Sequence, residues 1–277
     1  MSRELRLRII SGIVLAVIVL AATWYGGLGF RLLAATIGLL VYYEWSTMTD
    51  LHGGDPQGNA LGWLGLVLIA AATAMDASVY SMEVLAAFVV VTGIMVAVRQ
   101  KSWWLPGGIF YSGLTVIALA EIRDDGLRGF VLMLFIFATV WATDIFAYFV
   151  GRAIGGPKLA PRISPGKTWS GAIGGAIAAV IVGTAIVWRY FLADGLWIPA
   201  LALMLSICSQ IGDLFESFIK RRFGVKDSSH LIPGHGGVMD RVDGLIFACF
   251  AAFLLAIVIS LTMSGETISL GGVLLGV

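Results

Sequence analysis

Apolar runs of about 17–25 residues, the length needed to cross a hydrocarbon core, recur from one end of this 277-residue chain to the other. In lipid every backbone N–H and C=O must find its partner within its own segment, so such runs form helices. Nine are predicted, over residues 9–25, 28–47, 59–75, 81–98, 106–121, 129–150, 169–191, 197–218 and 244–263. The expected fold class is all-α: a polytopic integral membrane protein of about nine transmembrane helices with a cytoplasm-facing polar site. Residues 1–277 read as a single membrane domain, with N-terminal helices in 1–128 and the chemistry-bearing helices and loops in 129–264. Only 13% of residues are charged, about half the share of a soluble domain. No internal repeat and no low-complexity linker divides the chain. Cys208 and Cys249 fall inside apolar runs and read as small buried hydrophobes, without metal or disulfide spacing. The N-terminal stretch imitates a signal peptide, but no small-residue cleavage pattern follows it, and it is expected to be the first helix.

Charge is distributed by side. With the N-terminus in the cytoplasm, the inner segments carry Arg3, Arg6, Arg8, Arg99, Lys101, Arg152, Lys158, Arg162, Lys167, Lys220, Arg221, Arg222, Lys226 and Arg241. Only Arg31, Arg123, Arg128 and Arg189 fall outside, so fourteen of the 18 Lys and Arg are inside, a strong positive-inside bias. The two large polar loops, 151–168 and 219–243, then share the cytoplasmic face. Some of their basic residues, such as Arg152, Lys158, Arg162 and Arg222, are accounted for as anchors to anionic headgroups. A net charge of +1 gives no ground for a nucleic-acid partner.

Anchoring does not explain the acids, the histidine and the glycines. Asp144 and Asp213 lie inside predicted spans, where an ionised carboxylate costs several kcal/mol unless paired. Asp240 and Asp243 stand three residues apart in DRVD, on one face of a helix. With Asp227 they make an oxygen-rich set that favours Mg²⁺ over zinc. PGHGG, residues 233–237, surrounds His235 with glycines that permit sharp turns and close backbone approach to an anion. Lys226 and Arg241 flank it. SPGKT ends like a P-loop, but Pro161 stands where that pattern needs glycine, and a span follows. Lys167 is still a cation at the mouth of a helix, where N-terminal N–H groups hold phosphate well. His230 and His235 have the wrong spacing for a zinc protease. Glu44 and Glu83, at span ends, read as interfacial. The assembled picture is a phosphate- and metal-binding pocket at the membrane surface, suited to phosphoryl or nucleotidyl transfer onto a lipid headgroup.

The stretch SFIKRRFGVKDSSHLIPGHGGVMDRVD, from Ser217 to Asp243, resembles the bacterial phosphatidate cytidylyltransferase (CDP-diglyceride synthase) family. Ser217, Lys220, Arg221, Lys226, Asp227, Pro233, His235, Gly236, Gly237, Asp240, Arg241 and Asp243 match its pattern. DIFAYFVGR around Asp144, SPGKTW around Lys167 and GDLFES around Asp213 extend the likeness over about residues 141–244. Ser170 departs from it, where relatives often carry Glu or Gln. The resemblance implies that CTP and phosphatidic acid give CDP-diacylglycerol and pyrophosphate. It implies Mg²⁺ on Asp213 and Asp240, with room for a second, monovalent cation. Lys220, Arg221, Lys226, Asp227, His235, Arg241 and Asp243 would be catalytic, and Asp144, Lys167, Ser217, Gly236 and Gly237 would bind substrate. It suggests a homodimer in the bacterial inner membrane. Two rivals fit less well. The D-G-x-x-A-R pattern of CDP-alcohol phosphotransferases is absent, and an ion-coupled transporter would place its acids near the midplane at a repeat interface.

Overall fold

The computed structural model of the chain describes residues 3–123, 126–191, 195–262 and 269–276, with side chains from residue 10 onward apart from Ser78. Side chains of the basic flank Arg3, Arg6 and Arg8, and residue 263 at the end of the ninth predicted span, lie outside that description. The described residues are overwhelmingly helical. In chain order come α1 (Arg3–Tyr25), α2 (Gly27–Met48), the short α3 (Leu51–Gly54), α4 (Pro56–Ala74), α5 (Ser78–Arg99), α6 (Trp104–Arg123) and α7 (Gly126–Ile154). The strands β1 (Lys158–Ala160) and β2 (Ser164–Thr168) follow, then α8 (Trp169–Tyr190), α9 (Trp197–Arg222), α10 (Met239–Thr262) and the short α11 (Leu270–Leu275). Eight of these helices are long and apolar enough to cross a membrane, and the described apolar part of α1, Ile10–Tyr25, is shorter. The all-α expectation therefore holds, with one small addition. Residues 157–168 form an antiparallel hairpin in which Lys158 pairs with Thr168 and Ala160 with Ser164.

The chain divides into two compact units. The first comprises Met1–Glu121 and Phe223–Arg241; the second comprises Ile122–Arg222 and Val242–Val277. The polar loop thus packs with the N-terminal helices, although the helices that precede and follow it belong largely to the second unit.

In the first unit the core forms around Trp45 on α2. Its ring stacks on Tyr111 at 5.4 Å and tilts against Trp104 at 5.7 Å. Its indole Nε1 donates to the Trp104 carbonyl at 2.8 Å, so the buried N–H is satisfied. Trp104 also meets Phe223, the first residue of the polar loop, edge-on at 5.1 Å. Helix α4 starts where its sequence says it should. Pro56 occupies the first turn and the Asp55 carboxylate accepts the Gly58 N–H at 3.1 Å.

In the second unit α7 and α8 pack through small residues. A Cβ on Gly171 would stand 2.6 Å from the Ala147 carbonyl, and one on Gly175 would stand 2.6 Å from that of Thr143. This four-residue spacing of small side chains lets two helices approach closely where lipid offers no hydrophobic drive. Helices α9 and α10 approach in the same manner: a Cβ on Gly212 would lie 2.6 Å from the Asp243 carbonyl. Thr168 closes the hairpin and caps α8, accepting the Gly171 N–H at 3.1 Å.

Candidate active site

The polar loop of the first unit is organised by two carboxylates. Asp240, in the first turn of α10, uses a single oxygen, Oδ2, to accept the Ser228 N–H at 2.8 Å, the Ser228 hydroxyl at 2.9 Å and the Gly237 N–H at 2.8 Å. Glu44, from α2, is fully buried. Its Oε1 accepts the Ser229 hydroxyl at 2.6 Å and the Val238 N–H at 2.7 Å, and its Oε2 accepts the Ser228 hydroxyl at 3.0 Å and the Met239 N–H at 2.6 Å. Val238 and Met239 stand at the start of α10, so Glu44 satisfies N–H groups that a helix N-terminus otherwise leaves without partners. The expectation that Glu44 is an interfacial residue is therefore corrected, whereas Glu83 is exposed as a residue at a span end should be.

Between these anchors the PGHGG stretch makes a tight turn. Ile232 N–H donates to the Gly236 carbonyl at 2.8 Å, and His235 N–H to the Ile232 carbonyl at 2.9 Å. Gly234 and Gly236 take φ of 77° and 82°, a region that side chains disfavour. Gly237 is required for space: a Cβ there would run into the Ser228 hydroxyl and the Glu44 carboxylate. Its N–H, offered by the sequence to a phosphate, is committed to Asp240 instead. His235 is held from α1, where the Ser11 hydroxyl lies 2.8 Å from its Nδ1 and also bonds the Pro233 carbonyl at 3.2 Å. Lys226 and Asp227 are exposed on this loop, and Arg241 is exposed on the first turn of α10.

The second unit holds the other polar cluster. Lys167, at the end of β2, forms an ion pair with Asp213 of α9. One turn on, the Ser217 hydroxyl reaches Asp213 Oδ1 at 3.5 Å. Lys220 pairs with Glu216 at 2.8 Å, with the two side chains only 12% and 1% exposed. Asp243, brought close to α9 by Gly212, feels the charges of Asp213 and Lys220. Three carboxylates thus crowd around two lysines. Glu216 was not predicted; its signal was an acid one turn before Lys220 on a helix. Arg221 is exposed at the end of α9, and Asp144 lies exposed on α7. Beside this cluster runs an apolar groove of about 700 Å³ along α8 and α9, lined by Trp169, Ile173, Ile177, Ile207 and Leu214 among others. Among the described residues no three His, Cys, Asp or Glu stand together in metal-binding geometry.

A membrane-embedded bundle with a lysine–carboxylate cluster and a carboxylate-braced glycine loop defines a class, and comparison with known proteins names it. Residues 6–259 match the Cytidylyltransferase family, and the chain belongs to that family. It is similar to the phosphatidate cytidylyltransferase of Brucella abortus, with 47% identity over 254 residues, 91% of this chain and 93% of that one. The phosphatidate cytidylyltransferase of Bacillus subtilis is 31% identical over 273 residues, 92% of this chain and 98% of that one. That of Haemophilus influenzae is 44% identical over 146 residues, half of each chain.

The Lys220–Glu216 pair separates stability from chemistry. Lys220→Ala strands a buried carboxylate, which typically costs about 3–5 kcal/mol. Glu216→Gln in the same chain should restore thermal stability in detergent without restoring turnover. Full recovery of turnover would mean that Lys220 serves only to neutralise Glu216.

Proposed function

We propose that this protein transfers the cytidylyl group of CTP to phosphatidic acid, giving CDP-diacylglycerol and pyrophosphate. The observation that carries the reading is the near full-length likeness to relatives of that name. The two polar clusters and the apolar groove support it, because a lipid with a phosphate head needs cations beside an apolar surface.

In the reaction a phosphatidate oxygen attacks the α-phosphorus of CTP, and the bond from that phosphorus to the oxygen bridging to the β-phosphorus breaks. A phosphate monoester has its second pKa near 6, so the nucleophile is already ionised at neutral pH and no strong base is required. The protein's work is to position and to neutralise. Lys226, exposed on the braced loop, and Arg241, exposed on the first turn of α10, meet phosphate charge, and His235 is held in register by Ser11. Lys167 and Lys220 supply cations at the second cluster, and the family pattern adds Arg221. Ser217 joins the second cluster through Asp213 and Asp227 lies on the loop beside Gly236, whereas Asp144 joins through the family pattern alone.

The donor set suits Mg²⁺. Asp213, Glu216 and Asp243 offer carboxylate oxygens, and oxygen ligands match a hard cation. The family resemblance assigns it to Asp213 and Asp240, and when bound it would supply further positive charge to the phosphates. The site would face the cytoplasm of a bacterial inner membrane, a reading supported by the sided distribution of Lys and Arg. A homodimer is supported by the family resemblance.

Purified protein in detergent should release pyrophosphate from CTP only when phosphatidate is present. EDTA should stop the release and Mg²⁺ restore it. Asp213→Asn and Asp240→Asn should each fall below about a tenth of the wild-type rate, about 1.4 kcal/mol, and the double variant should be scarcely worse than either single one. Pyrophosphate release without phosphatidate would sink the transferase reading, and EDTA-resistant turnover would sink the metal. For orientation, a cysteine introduced at Lys101 should resist a membrane-impermeant thiol reagent in spheroplasts and react in inverted vesicles; the opposite pattern would reverse the assigned sides.

A further inference from the structure

The polar loop carries His235, Gly236, Gly237, Asp240 and Arg241, yet its shape depends on a residue nearly two hundred positions earlier. Glu44 is fully buried on α2, and Trp45, the next residue, locks that turn of helix against α6 through Tyr111 and the Trp104 carbonyl. From this fixed base the two oxygens of Glu44 reach both ends of the segment. Ser228 and Ser229 donate from its beginning, and the Val238 and Met239 N–H groups donate from its end, at the start of α10. Four donors converge on two oxygens, an acceptor count that suits a carboxylate. Ser228 is shared: its single hydroxyl proton lies between Glu44 and Asp240 and its N–H also bonds Asp240, so the two acids brace one turn. Gly237 completes the fit, since any side chain there would displace the Glu44 carboxylate.

We propose that Glu44 is a positioning residue for cytidylyl transfer: its carboxylate clamps the two ends of the polar loop together and thereby fixes the turn at His235 and the first turn of α10 that carries Asp240 and Arg241. The amide of Gln cannot replace it. One of its two heads would present N–H groups to the Val238 or the Met239 N–H, which has nothing to accept with. A loop released from Glu44 still hangs between α9 and α10, but Arg241 and His235 lose their fixed positions. A displacement of about 1 Å at a reacting centre can cost on the order of 10²-fold in rate. The catalytic consequence rests on the transferase reading; the structural consequence does not.

The test compares wild type, Glu44→Gln and Ser229→Ala, each purified as a monodisperse full-length chain. Two quantities are read: kcat per folded molecule for CDP-diacylglycerol formation, and the rate of tryptic cleavage after the exposed Lys226, followed by mass of the fragments. Glu44→Gln should lose on the order of 10²-fold in kcat and be cleaved faster after Lys226. Ser229→Ala, which removes one donor of four, should shift both in the same direction by less. If Glu44→Gln folds with wild-type kcat and wild-type cleavage, Glu44 is no clamp. If Glu44→Gln fails to fold, Ser229→Ala decides, and wild-type values in both readouts overturn the proposal. A lower unfolding temperature with unchanged kcat and cleavage marks a merely structural role and also overturns it. Should wild type make no CDP-diacylglycerol, the transferase reading falls, and the cleavage rates alone still decide whether Glu44 holds the loop.

Discussion

A carboxylate with no exposure to solvent is the point on which the polar loop turns. Removing an ion from water costs several kcal/mol after relaxation, and Glu44 is fully buried. It is tolerated because three hydrogen bonds of its own, and a fourth whose proton it shares with Asp240, replace the lost water, and a full bond to a charged group is worth about 1.5–3 kcal/mol. Two of those bonds come from the start of α10, whose dipole also favours negative charge. The buried acid and the loop therefore stabilise each other: without the loop the charge has no partners, and without the charge the amides of Val238 and Met239 have none. This explains why the polar segment belongs to the N-terminal unit rather than to the helices on either side of it in sequence.

The second cluster follows a different logic. Asp213, Glu216, Lys220 and Asp243 are placed by the close approach of α9 and α10 at Gly212, and Lys167 is delivered by the hairpin that ends in the Thr168 cap. Here the acids are answered by lysine side chains on long stems, which can reorient, whereas the amides answering Glu44 cannot. A fixed loop and a cluster of adjustable charges suit a reaction between two anions, in which the enzyme must first overcome repulsion between phosphates and then stabilise the departing pyrophosphate.

The helices were legible because lipid leaves a long apolar run only one regular solution. The first span is the least clear-cut, because its described apolar part is short. The hairpin also left a signal that went unused: Gly156, Ala160 and Ser164 each precede a proline, which biases them away from helix and toward extended backbone. The candidate site residues stand in the sequence as a family pattern, and the need for glycine at Gly236 and Gly237 was legible as chemistry. Their reason was not. Gly237 was read as an open amide for phosphate, but it is the only residue small enough to admit Glu44 and Ser228. Glu44 reads as interfacial in the sequence because its partners lie 184 to 195 residues away. An acid in the last turns of an apolar helix, with no basic residue one turn away on either side, is the only trace that such a contact leaves in one sequence.

The central claim is nucleotidyl transfer to a lipid phosphate, and the position of a label tests it most directly. Protein reconstituted with phosphatidate should be given CTP labelled in the α-phosphate in one reaction and in the γ-phosphate in another. The account predicts α-label in the lipid product and γ-label in free pyrophosphate. Transfer of the γ-label to lipid would make the protein a lipid kinase, and retention of both labels in CTP would leave it without this chemistry; either result would contradict the account.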